Sequence, residues 1–173
     1  HRCPASEELI KQEVEMSDTS AAGNGRNLFR EQITAAHEET SNPLLFEAAW
    51  EVCSQTGGIY TVLRSKAPAA VSRWGDNYVL VGPYHEAAAR VEFEPAPIGG
   101  VVGDAVEAIR QTGVEIHTGR WLITGRPCVI LINVRSAWHK IGEWKYLLWK
   151  DHGIGVPDGD WQVEEYVAFG NIM

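Results

Sequence analysis

From Leu44 onward, short apolar runs alternate with segments whose apolar residues recur at helical spacing. Leu44–Val52 (LLFEAAWEV) predicts a strand, Gly57-Gly58 a turn, and Ile59, Val62, Leu63 and Lys66 the start of a helix. Pro68 suits the first turn of a second short helix, Pro68–Trp74, which Gly75 stops. Asn77–Val81 (NYVLV) predicts the next strand, ended by Gly82-Pro83, and Asp104 reads as the N-cap of a helix over Asp104–Gln111. Val114–His117 alternates as a half-exposed strand does, Arg120–Thr124 continues extended, and Gly125-Arg126-Pro127 turns. Cys128–Val134 (CVILINV) is apolar almost throughout, the mark of a strand covered by helices on both faces. Ile141, Trp144 and Leu148 mark the inner side of a further helix, leaving Lys140, Glu143, Lys145 and Lys150 to face water. The loop Gly153–Gly159 precedes a last helix from Trp161. This alternation predicts an α/β domain with a mostly parallel, doubly wound sheet.

Residues 1–43 break the pattern. They hold one aromatic, Phe29, and 4 Lys+Arg against 8 Asp+Glu, a composition that buries too little apolar surface to offset its ordering entropy. A polar, disordered tail is expected there, with a helical stretch over Leu28–Glu39 and a turn at Asn42-Pro43. The chain opens on His1 and closes on Asn171-Ile172-Met173 without terminal punctuation. A fragment is therefore expected, with Met16 as its natural start.

Across 173 residues, 15 Lys+Arg face 23 Asp+Glu, for a formal charge of -8. That balance lacks the basic footprint of a nucleic-acid binder. No apolar run approaches the ~20 residues of a membrane-spanning helix, and the first residues lack a signal peptide's apolar stretch. Cys3, Cys53 and Cys128 are odd in number and far apart, which fits neither a disulfide framework nor a metal site and predicts a cytoplasmic setting.

Candidate chemistry concentrates where a strand passes through Gly57-Gly58 into a helix. Backbone N–H groups at a helix start are ready donors for a phosphate, and two glycines allow close approach. The pattern is neither a dinucleotide fingerprint nor a Walker loop. Seven tryptophans offer flat surfaces for sugar rings. Trp144 is expected in the core and Trp50, Trp74 and Trp121 in the core or in interdomain packing, and Trp138, Trp149 and Trp161 remain as candidate surface contacts. His85, His117, His139 and His152 share no metal-ligand spacing. Asp158, Asp160, Glu164 and Glu165 suit a solvated loop and helix start better than a glycosidase pair. No self-sufficient catalytic set stands out.

Leu45–Val52 (LFEAAWEV), Gly57–Leu63 (GGIYTVL) and Ser65-Lys66-Ala67 closely resemble the start of glycogen synthases of the animal and fungal type, glycosyltransferase family 3, which also occur in bacteria. Trp74–Tyr78, Leu80–Tyr84, Gly119–Ile123, Glu143-Trp144-Lys145 and Gly153–Pro157 continue the resemblance in order and spacing, over about Leu44 to Gly170. It implies an enzyme of the GT-B type, with two Rossmann-like domains facing a cleft. Such an enzyme moves glucose from UDP-glucose to the 4-hydroxyl at the non-reducing end of an α-1,4-glucan, with retention. No metal or redox cofactor is expected, and the intact protein is expected to be a homo-oligomer.

On this reading, residues 44–173 are an incomplete N-terminal Rossmann-like domain, most donor contacts and the catalytic residues lie in sequence absent here, and the chain alone is expected to be inactive. Gly57 and Gly58 match the loop that approaches the donor diphosphate. Gln55 departs from the family's usual lysine, exchanging a charge-assisted phosphate bond for a neutral one about half as strong. Preference for ADP-glucose would instead mark the bacterial starch synthase class, and a non-catalytic glucan- or nucleotide-binding module is the alternative from another class.

Overall fold

The computed structural model describes residues 43–173; the segment assigned as a polar tail, apart from Pro43, lies outside them. Strand β1 (Leu45–Ala48) leads through a turn into helix α1 (Gly58–Trp74), a 3₁₀ turn (Gly75–Asn77) and strand β2 (Tyr78–Pro83). Helix α2 (Glu86–Glu92) runs directly into β3 (Phe93–Pro95), followed by α3 (Gly100–Arg110), β4 (Glu115–Trp121) and β5 (Cys128–Asn133). A 3₁₀ segment (Val134–Lys140) joins β5 to α4 (Ile141–His152), and a loop leads on to α5 (Trp161–Ile172).

The strands form one mixed sheet in the order β1-β2-β5-β4-β3. β1, β2 and β5 are mutually parallel, whereas β4 runs antiparallel to both of its neighbours. The fold is α/β and Rossmann-like, but the parallel part of the sheet is confined to three strands. Connection length explains the difference. Residues 122–127 span β4 to β5, fewer than the roughly one dozen that a parallel crossover needs, so the pair closes as a hairpin.

Every residue of β2 is buried, because alternate side chains enter two separate apolar layers. Tyr78 and Leu80 join Val129 and Leu131 on one face, where Leu63 and Ala67 of α1 cover them. Val79 and Val81 join Cys128, Ile130 and Ile132 on the other, with Val106 of α3 and Ala168 and Ile172 of α5. The continuous apolar run of β5 is thus a strand covered on both faces, as its composition predicts.

Local departures from the sequence reading have identifiable causes. The first strand ends at Ala48 instead of running to Val52, because Val52 folds over Gly82, where a Cβ would lie 2.6 Å from that of Val52. Helix α1 continues through Pro68. Proline inside a helix costs about 3 kcal/mol, but Leu63, Ala67 and Ala70 are buried on both sides of it and hold one continuous face. Asp104 lies inside α3, whose N-cap is Gly99. The chain turns in earlier because Gly103 packs against the carbonyl of Ile98, which a Cβ would strike. Helix α2 and strand β3 have no counterpart in the periodicity reading.

Candidate functional site

Two features lie beyond the carboxyl ends of the parallel strands, the end at which open α/β sheets bind ligands. The first is the loop between β1 and α1. Gln55, Gly57 and Gly58 are all exposed on it, so the three residues nominated from sequence share one surface. Gly57 is the N-cap of α1 and offers no side chain to the first turn. Glu51 supplies the missing cap: its Oε2 accepts hydrogen bonds from the N–H groups of Gly57 and Tyr60, each at 2.9 Å. The N–H groups of Gly58 and Ile59 are left among those for which a helix provides no internal partner.

The two glycines therefore have different reasons. At Gly57 a Cβ would lie 2.8 Å from the Glu51 carboxylate, whereas at Gly58 it would meet nothing within 4 Å. Gly57 makes room for the cap, and Gly58 leaves the approach open. Sequence reading missed Glu51. The available signal is that no Ser, Thr, Asp or Asn stands at the N-cap, so the capping acceptor must come from elsewhere.

Tyr60 ties this loop to the body of the sheet. Its hydroxyl donates to both oxygens of Glu92 at 2.9 Å, and Nε1 of Trp121 donates to the same carboxylate at 2.8 Å. Burial, followed by the bond to Glu92, raises the Tyr60 hydroxyl above its ordinary value, so it stays a donor at neutral pH. The Tyr60 and Trp121 rings meet edge to face with centroids 5.5 Å apart. The first turn of α1 is thus fixed by Glu51 at its backbone and by Glu92 at its side chain.

The second feature is a cavity of about 540 Å³ at the ends of β2 and β5, lined in part by Trp50, Tyr84, His85, Asn133, Arg135 and Trp161. Trp50 is half-buried here, its ring edge-on to Tyr166 and Phe169 at 4.7 and 5.5 Å. Trp121 is fully buried, as expected of it, while Trp149 and Trp161 are exposed. Among the described residues no cluster of His, Cys, Asp and Glu suits a metal ion, and no helix is long and apolar enough to cross a membrane. Cys53 and Cys128 are buried free thiols. Burial raises both above the ordinary thiol range, which keeps them protonated and weakly nucleophilic.

Lys145, expected to face water, instead clamps the loop after α4. Its side chain is 14% exposed, and its Nζ donates to Asp158 at 2.5 Å, Glu164 at 2.8 Å and the Pro157 carbonyl at 3.3 Å. Asp160 caps α5 through the N–H of Val163. The carboxylates at 158, 160 and 164 are thus engaged structurally. The hydrogen bond from Lys145 holds the Asp158 carboxyl below its usual range, and bonds to Asp158 and then Glu164 push the Lys145 ammonium up.

A depressed carboxyl stabilises above its unfolded value, about 3.9, and this contribution fades as pH falls through the lower folded value. A raised ammonium stabilises below about 10.4 and its contribution fades as pH rises through the higher folded value. Residues 153–160 are accordingly expected to stay protected from amide exchange between these limits and to open in acid. Lys145→Met should open them at neutral pH as well.

The glycogen synthase family model matches residues 47–173. The chain is 40% identical over 130 residues to the liver glycogen [starch] synthase of Rattus norvegicus and 41% identical over 131 residues to that of Homo sapiens, matches that cover 75% of this chain and 18% of each relative. It is 41% identical over 136 residues to the glycogen [starch] synthase of Neurospora crassa, covering 78% of this chain and 19% of that relative. The chain thus spans about a fifth of the length of these relatives. With the match running through the β1–α1 loop and both faces of the sheet, this chain belongs to the glycogen synthase family.

Proposed function

We propose that this chain is the donor-side N-terminal part of a longer glycosyltransferase, one that extends α-1,4-glucan with glucose from UDP-glucose and retains the anomeric configuration. The observation that carries the reading is the α1 N-terminus. It follows a parallel strand through the loop 49–57, keeps Gly58 open, and is held rigid by Glu51 and Tyr60. Gln55, Gly57 and Gly58 form the edge that meets the donor diphosphate. The reaction in this reading uses neither metal nor redox cofactor, and the intact protein works in the cytoplasm as a homo-oligomer.

Glu51 also sharpens the role of Gln55. A carboxylate at the helix start uses two N–H donors and opposes an incoming anion, so a cation on the same loop gains importance. Gln55→Lys restores a charge-assisted bond to phosphate, which is about twice as strong as a neutral one. Titration calorimetry with UDP is expected to give a dissociation constant about tenfold lower for the variant, equivalent to roughly 1.4 kcal/mol. An unchanged or weaker constant places Gln55 away from the phosphates.

A further inference from the structure

We infer that Glu92 is a positioning residue for the sugar-nucleotide donor: anchored to the end of β4, its carboxylate steadies both stems of the Gln55–Gly58 loop, at Tyr60 and at Cys53. The inference rests on the donor reading of that loop, and it assigns the loop's geometry to a residue 32 positions further along the chain than Tyr60.

The packing of α2 gives no reason for a charge at this point. Glu92 is the last residue of that helix and is half-buried. Its side-chain hydrogen bonds all come from neutral donors, the Tyr60 hydroxyl across both oxygens and Nε1 of Trp121. Arg64 approaches Tyr60 instead, its guanidinium 6.0 Å from the centre of that ring. Withdrawing a carboxylate from water without a cation beside it is costly, and α2 offsets little of that cost, since Ala89 is its one buried residue. What an ionised acceptor adds is a hydrogen bond roughly twice as strong as a neutral one, and here it is aimed at the first turn of α1.

The carboxylate is fixed on one side and acts on the other. Its backbone carbonyl accepts from the N–H of Leu122 at 2.7 Å, and its side chain from the fully buried Trp121, so Glu92 is tied to the end of β4. Tyr60 is the element that Glu92 holds. The Tyr60 N–H shares the Glu51 carboxylate with that of Gly57, so releasing the Tyr60 hydroxyl loosens the cap that sets Gly57. The other stem meets the same carboxylate. Cys53, two residues before Gln55, is buried with a left-handed φ of 54°, a backbone that a non-glycine residue keeps only where its surroundings hold it. Burial and then the Glu92 charge push its thiol up, which puts Glu92 close to the point where the loop leaves the core. One carboxylate thus faces the loop at its exit, Cys53, and at its return, Tyr60.

The test uses the full-length protein that carries this chain, supplied with glycogen and UDP-glucose, and reads KM and kcat separately. Glu92→Gln keeps the size of the side chain and removes its charge. KM for UDP-glucose is expected to rise about fivefold while kcat stays within about twofold, the pattern of a lost contribution to donor binding. Tyr60→Phe should do the same, and the double variant should be no worse than the more affected single one, because the two residues act in series. Val129→Ala truncates a buried side chain of the same apolar layer and should lower the melting temperature with KM unchanged. An unchanged KM in Glu92→Gln, additive effects of the two variants, or a KM that follows the melting temperature across the whole set overturns the positioning role. Gly58→Ala separates the two readings: a raised KM there beside an unchanged one in Glu92→Gln removes only the role of Glu92, whereas an unchanged KM in both removes the donor reading as well.

Discussion

Trp121→Ala is expected to lower the stability of the chain by about 3–5 kcal/mol, the range for truncating a large aromatic in a packed core. Trp121 is fully buried beneath α1, and its ring is one wall of the contact with Tyr60. Its Nε1 is also one of the donors to Glu92. Truncation leaves both a cavity and a part-buried carboxylate short of a partner, and each is destabilising. Trp121→Phe keeps much of the volume but loses the donor, so its cost should fall between those of wild type and alanine. Urea denaturation checks both: a loss under about 1 kcal/mol for alanine, the ordinary value for an average substitution, contradicts the packing described here. Because Tyr60 shares Glu92, the alanine variant should also raise amide exchange at the start of α1.

Gly57→Ala is expected to damage the β1–α1 loop, proposed above to meet the donor, more than its size suggests. The backbone at Gly57 is extended, with φ at -155°, so alanine meets no dihedral strain. What it meets is the Glu51 carboxylate, 2.8 Å from the new Cβ. The carboxylate must move, and the bonds to Gly57 and Tyr60 go with it. Loss of an N-cap costs about 1–2 kcal/mol. UDP affinity should fall at least about tenfold as the loop loses its fixed geometry. Gly58→Ala has open space around it and should leave stability nearly unchanged while still hindering the ligand. Calorimetry with UDP and thermal melting separate the two variants. Equal melting temperatures and equal affinities for both would mean that Glu51 does not organise the loop.

How much of this was legible in the sequence differs by element. Period-2 and period-3.6 patterns located β2, β4, β5, α4 and α5, because those segments bury one face or both through their own side chains or, in α4, half-bury Ile141 and Trp144 against the core. The end of β1 and the continuity of α1 were not legible, since they depend on Val52 meeting Gly82 and on burial either side of Pro68. α2 and β3 escaped for a related reason: a seven-residue helix with one buried residue, Ala89, and a three-residue strand are too short to show a period.

At the site, the glycine pair was visible as a motif, but its reason was not. Glu51 lies six residues before Gly57, outside the spacing of a local cap. Lys145 misled because it sits on the side of α4 that an isolated helix would turn to water, while the loop before α5 folds back over it. The tryptophans sorted only in part as expected: Trp121 became core, Trp50, Trp74 and Trp144 are only half-buried, and Trp161 became an uncovered ring beside a cavity.

The most direct test of the central claim is glucosyl transfer by the full-length protein that carries this chain, supplied with glycogen and with UDP-glucose or ADP-glucose in turn. The account predicts extension of the glucan from UDP-glucose, markedly weakened by Gly57→Ala. No transfer from either sugar nucleotide, or transfer from ADP-glucose alone, would contradict it.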